Sequence, residues 1–189
     1  MKRFSIVLAA ALTLALSGVA SARVDSVFTA RLNPLNDSGA GGQVTLLLRG
    51  DQLTVKLNVH GVTPSLPHLQ HIHGFDGETD GVCPPPAADT NMDGFIDVGE
   101  GAPFYGPVFK LTLSTTGAQE PLNLDIAPVA NEGGSYTYRH TFTVDGDLLD
   151  LSDETIVVHG LDINGNGMYD ADTLEASLPV LCGEIVQRR

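Results

Sequence analysis

The chain has 189 residues, with 10 Lys plus Arg against 23 Asp plus Glu and a formal net charge of −13. An acidic balance of this size repels the phosphates of nucleic acid and the anionic surface of a membrane, so neither is expected as a partner. It suits solubility and the binding of cations, provided that the acids are placed to converge.

At the start of the chain, MKRFSIVLAAALTLALSGVASA reads as a signal peptide over residues 1–22. Lys2 and Arg3 supply the positive start, residues 6–16 the apolar run, and Ala20, Ser21 and Ala22 the small-residue cleavage pattern. The apolar run is short of the ~20 residues that span a bilayer, and no cysteine follows to take a lipid. Cleavage after Ala22 is expected, with an extracytoplasmic destination (periplasmic or secreted) and no membrane attachment afterwards. The leader holds two basic residues and no acid, so residues 23–189 keep 8 basic against 23 acidic residues, a formal charge of −15. Their length fits one domain with an ordinary core.

Alternation of apolar and polar residues then dominates. In QLTVKLNVHG, Leu53, Val55, Leu57 and Val59 face one way while Thr54, Lys56, Asn58 and His60 face the other, which is the period of a strand. QVTLLLRGDQLTV reads as two strands joined at Gly50-Asp51. SYTYRHTFTVDG alternates again, with Tyr136, Tyr138, His140, Phe142 and Val144 on one side, and His140 is expected to be a hydrogen-bonded core residue. VDSVFTARL, VFKLTLST, ETIVVHG and LPVLCGEIV complete the set. No stretch has a long helical period, and the 21 glycines and 11 prolines fall largely between strands. The expected fold is all-β, a Greek-key barrel or sandwich of about eight strands. Two connections, 74–103 and 160–176, are too long and too polar for simple turns.

The first of these contains DTNMDGFIDVGE. Asp89, Asn91 and Asp93 take the first, third and fifth places of a calcium loop, Gly94 the sixth, Asp97 the ninth and Glu100 the twelfth. Phe95 offers its carbonyl at the seventh and Ile96 is the apolar eighth. Alternating oxygen ligands, a glycine for the sharp turn and a terminal carboxylate able to bind through both oxygens are what calcium demands. DINGNGMYDADT repeats the pattern less completely, with Asp162, Asn164, Asn166, Gly167 and Asp170 in place and Met168 supplying the carbonyl. Thr173 stands twelfth, where it cannot bind through two oxygens, and Glu175 falls two residues too late. With no helix expected beside either loop, both read as structural staples rather than as a paired sensor hand; acidic turns held by their own hydrogen bonds are the plainer alternative. The 2 cysteines, Cys83 and Cys182, are expected to pair in an exported chain.

Half of the 6 histidines lie in HLQHIHGFDG. His71 and His73 on an extended segment project to one face and can chelate one transition metal, and TIVVHGLD offers His159 at the end of an apolar strand. Unrelated surface or core histidines are the alternative reading, because H-x-H alone is a weak signal.

The run LNVHGVTPSLPHLQHIHGFDG, then GVC, ETIVVHGLD and LPVLCGEIV, resembles the copper/zinc superoxide dismutases in order and spacing. That resemblance implies copper ligation by His71, His73 and His159, a bracing role without ligation for His68, and a Cys83–Cys182 bridge. FTARLNPLNDSGAGGQVTLLLRGDQLTVKLNVHGVTP, HIHG and PFYGPV are more similar still to the CHRD domain, a module that resembles the dismutase barrel. The chain departs from the dismutase pattern where zinc would bind: CPPPAAD holds no bridging histidine, and none occurs between His73 and His140. Leu178, Pro179, Val180 and Leu181 hold no arginine to guide an anion. Zinc is therefore not expected, and three neutral imidazoles suit copper in either oxidation state. His60, at a strand end, has no evident partner.

Three functions stay open at this point. One is an exported copper protein with calcium-stapled loops and slow redox chemistry. The others are a copper-only superoxide dismutase, and a non-catalytic calcium-stapled binding or adhesion module. No protein partner is legible.

Overall fold

The computed structural model describes residues 26–77 and 79–188; the expected leader, residues 1–22, lies outside them. Among the described residues no helix is long and apolar enough to cross a membrane.

The alternating segments become strands. β1 (Ser26–Pro34), β2 (Gly41–Arg49) and β3 (Gln52–His60) form a meander, closed between the last two by Arg49 opposite Gln52. Gly50, at φ +56°, takes the left-handed conformation that so short a turn requires. β6 (Ser135–Thr143) pairs with β3 over its full length. In all four, one face is buried and the other meets solvent. Leu53, Val55, Leu57 and Val59 are at most 3% exposed, whereas Thr54 and Thr141 face outward with their hydroxyls 2.9 Å apart.

The second half is made of shorter pieces: β4 (Gln70–Gly74), β5 (Val108–Thr112), β7 (Thr155–His159) and β8 (Pro179–Glu184). β1 joins the halves, since its last residues Asn33 and Pro34 pair with Cys182 and Leu181 of β8. A two-residue β9 (Val186–Gln187) adds to the other side of β1. The antiparallel order is therefore β5-β4-β7-β8-β1-β2-β3-β6, with β9 beside β1. The chain leaves the first half after β3, builds β4 and β5, returns for β6, and crosses again for β7. Among the described residues nine strands stand where about eight were expected, and the all-β reading holds.

The sheet curls around one core drawn from both halves, including Phe28, Leu46, Leu57, Ile72, Ile156 and Leu181. Each such side chain contributes ~1.5–3 kcal/mol by leaving water. The curl brings the two end strands together: Tyr138 Oη on β6 donates to the Ser114 carbonyl just past β5 at 2.8 Å.

Every residue of β4 and β7 is buried, so these two strands are covered on both faces. Their outer cover is the connection between β4 and β5, which packs Tyr105, Cys83 and Ala102 against Val157, Cys182 and Leu35. Cys83 and Cys182 are bridged, with Cα atoms 5.7 Å apart and a sequence separation of 99. The same connection corrects one expectation, for a helix α1 (Val98–Tyr105) follows the first calcium-type loop. It starts because Asp97 and Glu100 form a capping box: Glu100 N donates to Asp97 Oδ1 at 2.9 Å and Asp97 N to Glu100 Oε2 at 3.3 Å. It stops at Gly106, whose φ of +93° no side chain would accept readily.

His140 corrects another expectation. It is half-buried on β6 and held by ring contacts with Phe142 and Tyr138, at centroid distances of 4.7 and 6.5 Å, rather than as a hydrogen-bonded core residue.

Candidate metal centre

Alternation along β4 sends Ile72 into the core and leaves His71 and His73 on the opposite, covered face. β7 lies beside β4 and ends in His159. The pairing of both strands with their neighbours is irregular at the histidines. His73 pairs with Phe109 while Ile72 pairs with Leu111, which leaves Lys110 as the extra residue of a bulge. On the other side Val158 pairs with Leu181 and His159 with Pro179, leaving Val180 extra. Bulges of this kind re-aim side chains and are enriched beside functional sites.

The three rings converge. One nitrogen from each of His71, His73 and His159 lies within 4.8 Å of the other two, and all three residues are 1–2% exposed. Each ring is oriented through its second nitrogen, facing a backbone carbonyl that can only accept. Nε2 of His71 donates to Pro121 O at 2.8 Å, Nδ1 of His73 to Gly106 O at 3.1 Å, and Nδ1 of His159 to Ser177 O at 2.7 Å. These bonds fix the tautomers and leave His71 Nδ1, His73 Nε2 and His159 Nε2 buried and without a partner. Leaving one such atom unsatisfied costs ~1–3 kcal/mol, and here three share one spot. The group could hold a metal ion, since drawing the nitrogens inward by about an ångström gives the ~2.0–2.1 Å bonds usual for imidazole on a metal.

Burial also keeps the rings unprotonated. Desolvation pushes His71 down to about 4 and His73 to about 3, with His71 adding to the effect on His73. His159 is driven well below its ordinary value, by burial first and then by the other two rings. Neutral imidazole is the metal-binding form.

His68 lies outside this set. Fully buried, it places Nε2 3.0 Å from Thr63 O and Nδ1 3.0 Å from the carbonyl of His159, so it braces the ligand strand without facing the centre. His60 is exposed at the end of β3.

Several contributors carried no sequence signal. Phe109 leans on His71 and His73 at centroid distances of 4.8 and 4.9 Å and is 40% exposed, forming the cover. Tyr105, the last residue of α1, packs on His73 at 4.8 Å. Tyr169 reaches from the second acidic loop to His68 Nδ1 at 3.3 Å. The carbonyls of Pro121, Gly106 and Ser177 are backbone and invisible to motif reading. Gly106 alone left a trace: a Cβ there would run into the carbonyl of Gly74, so the close approach that sets the His73 acceptor needs glycine.

Both acidic loops run into this centre. In the first, Gly94 N donates to Asp89 Oδ2 at 3.0 Å, Asp93 N to Asn91 Oδ1 at 2.8 Å and Phe95 N to Asp93 Oδ1 at 2.9 Å. Asp89 Oδ1 is buried without a partner. Glu100 gathers the Thr90 and Asn91 amides on Oε1, and these bonds lower its pKa. In the second, Asp162 accepts from the amides of Gly165, Asn166 and Gly167. Thr173 turns its hydroxyl to the Asp170 carbonyl at 3.0 Å. Glu175 is the carboxylate that reaches the loop, fully buried and accepting from Ile163 N at 2.9 Å and Asp170 N at 2.6 Å.

In comparison with known proteins, no family model and no curated protein matches the chain.

Proposed function

We propose that this is an exported metal-binding β-protein that holds copper on His71, His73 and His159, with calcium as a structural ion in its acidic loops. The observation that carries the copper reading is the trio of buried, partnerless imidazole nitrogens aimed at one point. An all-nitrogen donor set suits copper. The order of the histidines and cysteines along the chain resembles the superoxide dismutases and the CHRD domain, which supports the same metal. The disulfide fits an oxidising, extracytoplasmic compartment.

The convergence of the histidines argues against a purely adhesive module with idle histidines. Lys110 argues against fast dismutation. It is the cation that follows Phe109 in the bulge, yet its ammonium is held by Asp147 at 2.8 Å and faces Glu154 at 3.7 Å, with the side chain 8% exposed. It is thus not free to draw superoxide toward an acidic protein. Redox chemistry at the centre is expected well below the diffusional range of ~10⁸–10⁹ M⁻¹s⁻¹.

For calcium the support is the full set of Asp89, Asn91, Asp93, Phe95, Asp97 and Glu100, with the unpartnered Asp89 oxygen among them. Asp162, Asn164, Asn166, Met168 and Asp170 make the second set, in which Glu175 replaces Thr173 as the closing carboxylate. The loops lead to the carbonyls of Gly106 and Ser177, so calcium there would stiffen the frame of the histidines.

Metal analysis of protein taken from its native compartment, followed by copper titration of the wild type and of His71→Ala, tests the proposal. His71→Ala is expected to fold normally and to bind copper at least ~100-fold more weakly, about 2.7 kcal/mol. Equal affinity in the two proteins overturns the site.

A further inference from the structure

The charge around the three histidines decides which ion they prefer. Among the described residues no carboxylate oxygen or thiolate joins the three nitrogens as a ligand. The outward nitrogens meet only the carbonyls of Pro121, Gly106 and Ser177, where a metal-bound histidine often meets a carboxylate instead. Within the described residues the cluster is made of histidines alone, and no Asp, Glu or Cys side chain brings a ligand atom into it. The walls are the rings of Phe109 and Tyr105. An ion bound here keeps its whole charge in a dry, uncompensated pocket.

Two consequences follow. The desolvation cost of an ion grows with the square of its charge, so a divalent ion is opposed about four times as strongly as a monovalent one. The donor set also stops at three, while a divalent copper or zinc ion ordinarily takes a fourth ligand, from the protein or from water. The Phe109 ring packs against both His71 and His73 and shields them.

Taking the copper reading above as given, we propose that the centre is a cuprous site, selective for Cu(I) over both Cu(II) and Zn(II) because no negative charge accompanies its three imidazoles. Ligand softness does not explain the choice, since imidazole serves all three ions; the missing counter-charge does.

The test is a set of competition titrations on the full mature protein, using a chromophoric Cu(I) chelator without oxygen and matched chelators for Cu(II) and Zn(II). Cu(I) is expected to bind at least ~100-fold more tightly than either divalent ion. For copper, that ratio lifts the potential about 120 mV above the aqueous couple, at 59 mV per tenfold change for one electron. Phe109→Asp adds a carboxylate beside His71 and His73 at an exposed position. It is expected to tighten Cu(II) and Zn(II) at least ~10-fold and to leave Cu(I) within ~3-fold, which removes most of the preference. Cu(II) or Zn(II) binding as tightly as Cu(I) in the wild type overturns the cuprous assignment and leaves the copper site standing. Failure of all three ions to bind overturns both.

Discussion

The two halves of the sheet are made of the same kind of strand and put to different uses. In the half formed by β1, β2, β3 and β6, strands of nine residues alternate between core and solvent, and the outer face is mostly polar, with threonines such as Thr54 and Thr141 paired across it. In the half formed by β4, β5, β7 and β8, the strands have five or six residues, and β4, β7 and nearly all of β8 are covered on both faces. The cover turns an outer sheet face into an interior. Across β4, β7 and β8 the register places His71 beside Val157 and Val157 beside Cys182, so a histidine of the cluster, a packing residue and the disulfide share one covered face. An open antiparallel face is easy to build, whereas a second, dry face requires long connections to be tied down. That is where this chain places its disulfide and its acidic loops.

The contrast breaks most sharply at the tie. Replacing both cysteines with serine frees a loop of nearly a hundred residues and should cost on the order of 4–5 kcal/mol, read from urea midpoints. Hydrogen exchange should then rise first in β4 and β7, while β2 and β3 remain protected. Uniform loss of protection would mean that the halves do not differ in this way.

Acid is the next lever. His71 and His73 have folded pKa values near 4 and 3, below the ~6.5 of an unfolded histidine. Their neutral, buried form is fully compatible with folding above about pH 6.5, and stability drains away as the pH falls from there toward the folded values. Each contributes a slope of about 1.4 kcal/mol per pH unit over that window. Metal-free protein should therefore weaken steeply between pH 6.5 and 4, and His71→Ala should reduce the slope by one such increment. An unchanged slope would remove His71 from the account.

Glu154 should act with the opposite sign. It is 2% exposed with Oε2 unpartnered, and burial raises it to about 7 against the pull of Lys110. Because the folded value lies above the ordinary 4.5, stability is present at low pH and falls as the pH rises toward 7. Glu154→Gln should raise the melting temperature by about 2–4 °C at pH 8, corresponding to roughly 1 kcal/mol in a chain of this size. It should change little at pH 4.5. A lowered melting temperature at pH 8 would show that the ion pair with Lys110 outweighs the burial.

On the open face the effect should nearly vanish. Thr54→Ala removes one hydroxyl of the exposed Thr54–Thr141 pair and should stay within ~0.5 kcal/mol of wild type.

The same difference governed what could be read in advance. The first half was legible because a sheet with one wet face must alternate, and Leu53, Val55, Leu57 and Val59 do. In the covered half that signal fades, for TIVVH is buried at every position and its role came from the histidine at its end. α1 has no legible helical period, because it spans 8 residues with two glycines and a proline among them. Its start was nevertheless written in Asp97 and Glu100, whose spacing also fits a calcium loop. Glu175 was discounted by strict spacing, yet the backbone folds back so that a carboxylate two places late reaches the loop amides. The bulges at His73 and His159 depend on how strands end against one another, which a single strand's sequence does not express.

The three carbonyl acceptors also have a kinetic meaning. Pro121, Gly106 and Ser177 lie on three different connections, and each fixes one ring through one hydrogen bond. If the proposed ion is bound, its release should require a ring to swing aside, and each ring is tied to its own connection by that bond. Transfer to a competing chelator should therefore stop accelerating once the chelator is abundant, at a ceiling equal to the opening rate of whichever connection lifts most often.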